Sequence, residues 1–528
     1  MKRFLIVLAS LFFLSSSIFT TEIQLRAFPG FFIPLNSSFS YALGQTFSLD
    51  LMPITVHERD DIYFSTQGSF SFLNGSGLSI PYYEGGLAMG YNYRIIDRLS
   101  LSAEAFANFY MVPDVVVGEN SYEGLSGLSF GGRLAANYYL SPDFVLSFCC
   151  GYKNYLYKPE PFLQTIEAGI GITYNFSKGI FGATNVELSD YETQSLFPIF
   201  YSRYDDHEFG SVSFINEEKN DITDVVITLF IESYMSNPVT IAKYDLIKRG
   251  QSFSAEFKAF LNENILDLLQ PQLATAKIQV SYRSLGKEMT FVQNVDLQTL
   301  PRNSMTWEDD RRAAAFVSGR DASAQLFARQ IEAIIRNQLD PNIPVNIQYA
   351  AAVFAAIKTF GVNYVVDPSS AFTDNVGTNT VDFLQFPYQT LLYHGGDCDD
   401  LSILNCSLLQ AMGIETAFIT VPGHIYMAFD SGVSPDQAGK INRGRTIVYE
   451  DKVWIPVEIT VMQDTFALAL QIGYKEWIKY QDQAALLPIS KAWEEYSPVS
   501  VPESDAGIKM QEKSEIIKEF KAALKAVR

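Results

Sequence analysis

The stretch TIEAGIGITYNF, residues 165–176, alternates between two kinds of side chain. Apolar residues occupy every second position from Ile166 to Phe176, and small or polar residues occupy the positions between them, from Thr165 to Asn175. A period of two residues places alternate side chains on opposite faces of a β-strand. The stretch therefore predicts a strand with one apolar face and one small, polar face.

Segments with the same alternation, separated by turns rich in Gly, Asn, Asp, Pro and Ser, recur upstream of this stretch. There are about eight, centred near residues 26, 43, 67, 88, 104, 132, 149 and 170. Strands of about ten residues with small inward faces are typical of a membrane β-barrel, in which closure leaves no unpaired edge. We predict an eight-stranded antiparallel barrel of the outer-membrane type over residues 21–177, with a soluble sandwich as the alternative. The barrel would place Cys149 and Cys150 on opposite faces of one strand.

The first 20 residues have the features of a signal peptide. Lys2 and Arg3 precede an apolar run too short to span a membrane, and small polar residues follow it. We therefore expect export, with lipid of the bacterial outer membrane as the partner of the barrel. Because an even number of strands returns both barrel ends to the same side, everything after residue 177 is predicted to lie in the periplasm.

Length and charge limit the remaining possibilities. A chain of 528 residues predicts two to four domains. The 39 Lys and Arg against 59 Asp and Glu give a net charge of −20, which argues against nucleic acid as a partner. Short strand-like runs joined by polar turns predict an immunoglobulin-like β-sandwich over residues 190–302. Helical periodicity begins near Met305, and we predict a third, α+β domain over residues 303–482.

The sequence GGDCDDLSILNCSLLQAMG, residues 395–413, carries the clearest chemical signal. Asp397 and Asp400 have the spacing of a capping box, so Cys398 would be the first residue of a helix. A helix N-terminus favours thiolate over thiol, but the flanking carboxylates oppose it. A cationic partner would therefore be needed. Cys406, in the middle of the same helix, is predicted to be a packing residue.

Two further residues could complete a catalytic site. His424 follows the turn of a predicted hairpin, and Glu458 ends the strand sequence KVWIPVE. In this order the chain supplies a nucleophile, a base and a residue that orients the base. A zinc site is the alternative, but such sites usually show closely spaced ligand pairs, whereas here only His394 lies near Cys398.

Residues from about 306 to 480 resemble the transglutaminase-like, papain-related fold, especially its bacterial cysteine-proteinase branch. The matching motifs are GGDCDD around Cys398, PGH ending at His424 and WIPVE ending at Glu458. The resemblance implies that Cys398 is the nucleophile, His424 the general base and Glu458 the residue that orients His424. The family usually has Asp at the third position, so the Glu is a departure.

The same resemblance suggests two further features. An oxyanion hole would use the backbone N–H of Cys398 and an upstream donor, for which Gln385 is the candidate. No cofactor is required, but some relatives bind calcium beside the cysteine. Asp397, Asp399 and Asp400 could do so here, and helix capping is the alternative explanation for these carboxylates.

We therefore expect a cysteine peptidase or amidase that forms a thioester on Cys398. Hydrolysis of periplasmic proteins or peptidoglycan peptides is favoured over transglutaminase cross-linking. The alternatives are a non-catalytic, peptide-binding scaffold and a barrel that acts as a pore or adhesin; eight strands leave little room for a wide pore. Residues 483–528 are predicted to form an extension whose amphipathic helix packs on its own domain through Ile516, Ile517, Phe520 and Leu524.

Overall fold

The computed structural model describes residues 24–35, 43–55, 62–75, 78–117, 120–157, 160–176, 185–366, 380–501 and 512–527. The predicted signal peptide at residues 1–20 lies outside these ranges. Among the helices within them, none combines the length and apolar character needed to cross a membrane.

Eight antiparallel strands close into a barrel at the N-terminal end of the described chain. They are β1 (Gln24–Pro34), β2 (Gly44–Thr55), β3 (Ile62–Gly75), β4 (Leu78–Ile96), β5 (Leu99–Val112), β6 (Leu125–Tyr139), β7 (Phe144–Tyr157) and β8 (Glu160–Asn175). Pairing of β1 with β8, which sets Gln24 opposite Asn175, closes the barrel. A small hairpin, Val115–Val117 with Asn120–Tyr122, extends the loop between β5 and β6. The predicted eight-stranded barrel is confirmed, although the segment centred near residue 43 begins at Gly44.

The two faces of β8 differ as its alternation predicts. Ile166, Ile170 and Ile172 point outward and are 47%, 48% and 55% exposed, whereas Thr165 and Glu167 are buried in the interior. The neighbouring strand β7 behaves in the same way, because Cys149 is buried and Cys150 is exposed. The barrel therefore has an apolar outer surface and a polar interior.

Ion pairs fill the barrel interior. Arg26 contacts Asp50 at 2.6 Å and Glu104 at 2.8 Å, and Arg133 contacts the same two carboxylates. Lys153 bridges Glu84 and Glu167, each at 2.8 Å. Buried charges are tolerated only when they are paired, so the lumen packs as a network of opposite charges.

A sandwich of two antiparallel sheets follows the barrel. Its strands are β9 (Val186–Thr193), β10 (Gly210–Asn216), β11 (Ile222–Ile231), β12 (Val239–Ile247), β13 (Ser252–Glu256), β14 (Gln272–Ser284) and β15 (Lys287–Thr299). One sheet has the order β9-β10-β13 and the other β12-β11-β14-β15. Phe214 and Phe291 meet edge to face between the sheets at 6.0 Å. The first strand begins four residues before the predicted boundary at 190.

The C-terminal part of the chain combines helices with one larger sheet. Its strands are β16 (Ser304–Thr306), β17 (Asn363–Tyr364), β18 (Val381–Phe383), β19 (Gly395–Gly396), β20 (Thr416–Val421), β21 (His424–Asp430), β22 (Ile447–Tyr449), β23 (Lys452–Val457) and β24 (Ala485–Pro488). Its α-helices are α1 (Ala322–Ile335), α2 (Val345–Phe360), α3 (Pro387–Tyr393), α4 (Cys398–Ala411), α5 (Phe466–Lys479), α6 (Ile489–Ala492) and α7 (Lys513–Val527). Short 3-10 turns occupy Pro198–Asp205, Glu263–Asp267, Asp310–Phe316, Pro435–Lys440, Asn442–Gly444 and Ile459–Val461.

The five-stranded sheet β22-β23-β21-β20-β24 is the support for the site. Its outer strand β24 lies beyond residue 482, so the predicted extension contributes a strand to the domain that precedes it. Helix α7 buries Ile516, Phe520 and Leu524, and its Glu519 pairs with Lys358 of α2 at 3.2 Å. This packing onto its own domain agrees with the amphipathic pattern of the helix.

Candidate functional site

Helix α4 presents Cys398 as its first residue. The carboxylate of Asp397 accepts a hydrogen bond from the backbone N–H of Asp400, and Asp400 accepts one in return from the N–H of Asp397, each at 3.4 Å. This is the predicted capping box, and it fixes where the helix begins. Cys398 is 3% exposed, and its backbone N–H belongs to the first turn, where helical donors lack intrahelical acceptors.

Strands β21 and β23 bring His424 and Glu458 to this cysteine. Gly423, with φ of 71°, makes the tight turn that starts β21 at His424. Nε2 of His424 lies 2.8 Å from Oε2 of Glu458, the first residue after β23. The imidazole also interacts with the side chain of Cys398, which contributes to the raised pKa of His424. The structure thus brings together the three residues predicted as nucleophile, base and orienting acid.

The electrostatics of this group favour a charged imidazole. Burial opposes the charge, but the hydrogen bonds to Cys398 and Glu458 outweigh it and raise the pKa of His424 to about 10. Burial likewise opposes ionisation of Glu458, yet His424 and Thr460 hold the pKa of this carboxyl below its usual value. A protonated His424 is the cationic partner that a thiolate beside several carboxylates needs.

Thr460 was not anticipated from the sequence. Oε1 of Glu458 accepts hydrogen bonds from the backbone N–H of Thr460 at 3.1 Å and from its hydroxyl at 2.6 Å. The backbone N–H of Glu458 donates to the carbonyl of Ala469 in α5 at 3.1 Å. The available signal was a carboxylate followed two residues later by Thr, a spacing at which a side chain can cap a short turn.

Gln385 lies beside the start of α4. Its backbone N–H donates to Oδ1 of Asp400 at 2.7 Å. Its side-chain Oε1 is buried without a hydrogen-bond partner among the described residues. This oxygen therefore makes no hydrogen bond with the described residues. The role of Gln385 as an oxyanion donor stays a prediction.

Tyr364 is a second residue that the sequence did not indicate. Strand β17 pairs in parallel with β19, which sets Tyr364 opposite Gly396, two residues before the cysteine. The pKa of Tyr364 is raised by burial and by electrostatic interactions with Cys398, Asp397 and Glu458. Tyr364 is nevertheless 42% exposed, so it borders the site and faces solvent. Only the fold reveals this, because the local sequence indicates no more than a strand.

The acidic residues around Cys398 form a cluster that is held by helix capping. Ligand atoms of Asp397, Asp399 and Asp400 lie within 4.8 Å of one another. Both oxygens of Asp400 accept backbone N–H bonds, and Asp399 accepts one from Asp400 at 2.7 Å. Burial and the neighbouring Asp397 raise the pKa of Asp399 well above its usual value and that of Asp400 to about 8.

Calcium binds six to eight oxygen ligands and favours ionised carboxylates. The three Asp residues supply the right kind of ligand, and their oxygens already accept backbone N–H bonds in the capping arrangement. The calcium site stays a prediction.

A zinc site receives no support from the geometry. Among the residues that the structure describes, the Asp cluster is the grouping of potential metal ligands. His394 stacks on Phe360 with ring centres 4.6 Å apart, and its Nδ1 lies 3.1 Å from the Phe360 carbonyl. His394 is thus part of the packing at the end of α3, and His424 is bonded to Glu458.

The comparisons with known proteins concern the barrel. The chain is similar in structure to Neisserial surface protein A, with 13% identity and a TM-score of 0.26, over 29% of this chain and 96% of that one. The N-terminal β-barrel domain of Pseudomonas aeruginosa OprF is also similar, with 12% identity and a TM-score of 0.23; the match covers 30% of this chain and 98% of that domain. Ail, the attachment invasion locus protein of Yersinia pestis, matches with 17% identity and a TM-score of 0.22; the match covers 30% of this chain and 100% of Ail. No protein-family model and no curated protein matches the chain.

Proposed function

We propose that the protein is a cysteine acyl-transfer enzyme anchored in the outer membrane by its barrel, and that it hydrolyses peptide or amide bonds in the periplasm. The observation that carries this proposal is the 2.8 Å bond between His424 and Glu458, together with the electrostatic interaction of the same imidazole with Cys398. The three residues come from a helix N-terminus and two strand ends, and they supply a thiol, a base and an acid that orients the base.

The chemistry follows from the geometry. With Nε2 of His424 bonded to Glu458, the other ring nitrogen can take the thiol proton of Cys398. The thiolate adds to the substrate carbonyl, and the N–H of Cys398, with the side chain of Gln385 as second donor, would stabilise the oxyanion. His424 then returns the proton to the departing amine, which leaves a thioester on Cys398. Water, deprotonated by His424, attacks the thioester and releases the acid and the free thiol.

The location proposed for this reaction rests on the barrel. A closed barrel with an apolar outer surface suits insertion in the outer membrane. An even number of strands returns the chain to the side from which it entered, which supports a periplasmic C-terminal domain. Its substrates would then be periplasmic proteins or peptidoglycan peptides.

Thiol labelling tests the proposed site directly. We expect iodoacetamide to label Cys398 at neutral pH at least tenfold faster than it labels free cysteine, because only a thiolate is an effective nucleophile. Peptide mapping of the full-length protein in detergent would separate Cys398 from Cys406. Burial raises the pKa of Cys406 to about 12, so its labelling in the folded protein should be negligible. Labelling of Cys398 no faster than that of free cysteine would favour a non-catalytic scaffold.

A comparison of cells tests the substrate class. Cells carrying Cys398→Ala should accumulate uncleaved periplasmic proteins or peptidoglycan peptides relative to wild type. Cys406→Ala is the matched control, because it removes a thiol from the same helix at a position packed in the core. Identical fragment patterns in wild-type and Cys398→Ala cells would count against hydrolysis as the function.

A further inference from the structure

Glu458 occupies the third position of the proposed catalytic group, where the resembling family usually has Asp. Its longer side chain needs an additional contact to hold it in place. Glu458 has one more rotatable bond than Asp, so holding its carboxylate in one place costs more side-chain entropy. It is 3% exposed, so its carboxylate oxygens depend on protein partners for their hydrogen bonds. A second partner on the oxygen that does not face His424 would fix the orientation of the carboxylate.

Thr460 supplies this partner. Oε2 of Glu458 faces Nε2 of His424 at 2.8 Å, and the opposite oxygen, Oε1, accepts both bonds from Thr460. One oxygen of the Glu458 carboxylate therefore binds His424 and the other binds Thr460. We propose that Thr460 is a positioning residue that orients Glu458, and through it His424; the role rests on the proposed acyl-transfer function.

The Thr460 hydroxyl makes a hydrogen bond that the local turn does not need. Glu458 caps the 3-10 turn Ile459–Val461 through the backbone N–H of Thr460, and any residue except Pro at this position would supply that donor. The hydroxyl bond, at 2.6 Å, is the shorter of the two. Hydrogen bonds to an ionised group are about twice as strong as neutral ones. Thr460→Val removes only the hydroxyl donor and keeps the β-branched shape, whereas Thr460→Ser keeps the hydroxyl.

The test measures the rate at which iodoacetamide alkylates Cys398 in the full-length protein in detergent near neutral pH. Thr460→Val should slow alkylation about tenfold, the effect of losing one hydrogen bond to a charged group. Thr460→Ser should stay within about twofold of wild type. Tryptophan fluorescence of each variant reports whether the C-terminal domain is folded, because all four Trp residues lie at or beyond Trp307.

A double-variant comparison separates positioning from general structural damage. If Thr460 acts through Glu458, adding Thr460→Val to Glu458→Gln should slow alkylation no further than Glu458→Gln alone. Full additivity of the two effects, or a wild-type rate for Thr460→Val, would overturn the positioning role while leaving the proposed enzyme intact. An unreactive wild-type Cys398 would instead remove the proposed function on which this role rests.

Discussion

His424 is the residue on which the proposed catalytic group depends. One ring nitrogen is bonded to Glu458 and the imidazole also interacts with Cys398, while its ring stacks on Tyr426 with centres 5.7 Å apart. The Tyr426 hydroxyl donates to the carbonyl of Gly473 at 3.1 Å, which fixes the stacking surface. The imidazole is thus held by stacking on one face and by a bond at one nitrogen, which suits the proton transfer proposed for it.

The raised pKa of His424 predicts a pH dependence of stability. Its pKa in the folded protein is about 10, against about 6.5 for a free imidazole. The folded state therefore binds the proton more tightly, and this stabilisation is complete below about pH 6.5 and is lost as the pH rises towards 10. Urea unfolding followed by tryptophan fluorescence at pH 6, 8 and 10 measures the effect. The loss should be smaller in His424→Gln, and equal losses in the two proteins would contradict the assignment.

Helix α5 helps to position Glu458. The carbonyl of Ala469 in this helix accepts a hydrogen bond from the backbone N–H of Glu458, and Gly473 of the same helix lies against the end of β23. A Cβ at Gly473 would meet the backbone N of Glu458 at 3.0 Å and the carbonyl carbon of Pro456 at 3.1 Å. The glycine permits this close approach, so the helix and the strand fix the position of the acid together.

A methyl group at Gly473 should therefore separate α5 from β23. We expect Gly473→Ala to destabilise the C-terminal domain by about 1 to 3 kcal/mol, the usual effect of overpacking, and to slow alkylation of Cys398. Gly439→Ala is the matched control, since a Cβ there meets no atom within 4 Å. Urea unfolding and alkylation rates provide the two measurements. A Gly473→Ala protein as stable and as reactive as the control would show that the close contact is unimportant.

At the scale of the whole molecule, the sandwich connects the barrel to the C-terminal domain by specific contacts. Arg98 of the barrel donates to the carbonyl of Leu285, and Lys287 pairs with Asp143 at 2.5 Å. On the other side, Arg203 pairs with Glu495 at 2.8 Å. The site is therefore held at the end of the barrel where the chain leaves β8, and its location depends on the side of the membrane to which that end belongs.

The proposed topology predicts where protease can act. Protease added to intact cells should spare residues 185–527, and the same treatment after permeabilisation of the outer membrane should digest them. Antibodies against the C-terminal domain would follow the fragments, with a periplasmic protein as the control for membrane integrity. Digestion of this half in intact cells would place the site on the cell surface.

Features that depend on near neighbours in the chain could be predicted from the sequence alone. Alternation along residues 165–176 specified which face of β8 is apolar, because a strand exposes successive side chains on opposite faces. The spacing of Asp397 and Asp400 likewise located the start of α4, because capping joins residues three positions apart. The positions of seven barrel strands followed from the same local signals, whereas the second strand, Gly44–Thr55, begins after its predicted centre near residue 43.

Features that join distant parts of the chain became visible in the folded structure. The bond between His424 and Glu458 spans 34 positions, and the place of Tyr364 beside Cys398 depends on the pairing of β17 with β19. The addition of β24 to the sheet and the ion pairs within the barrel have the same origin. Such contacts leave no periodic or local signal, because their partners are selected by packing after the chain has folded back on itself. The sequence could thus nominate the members of the site, but the fold determines which of their atoms meet.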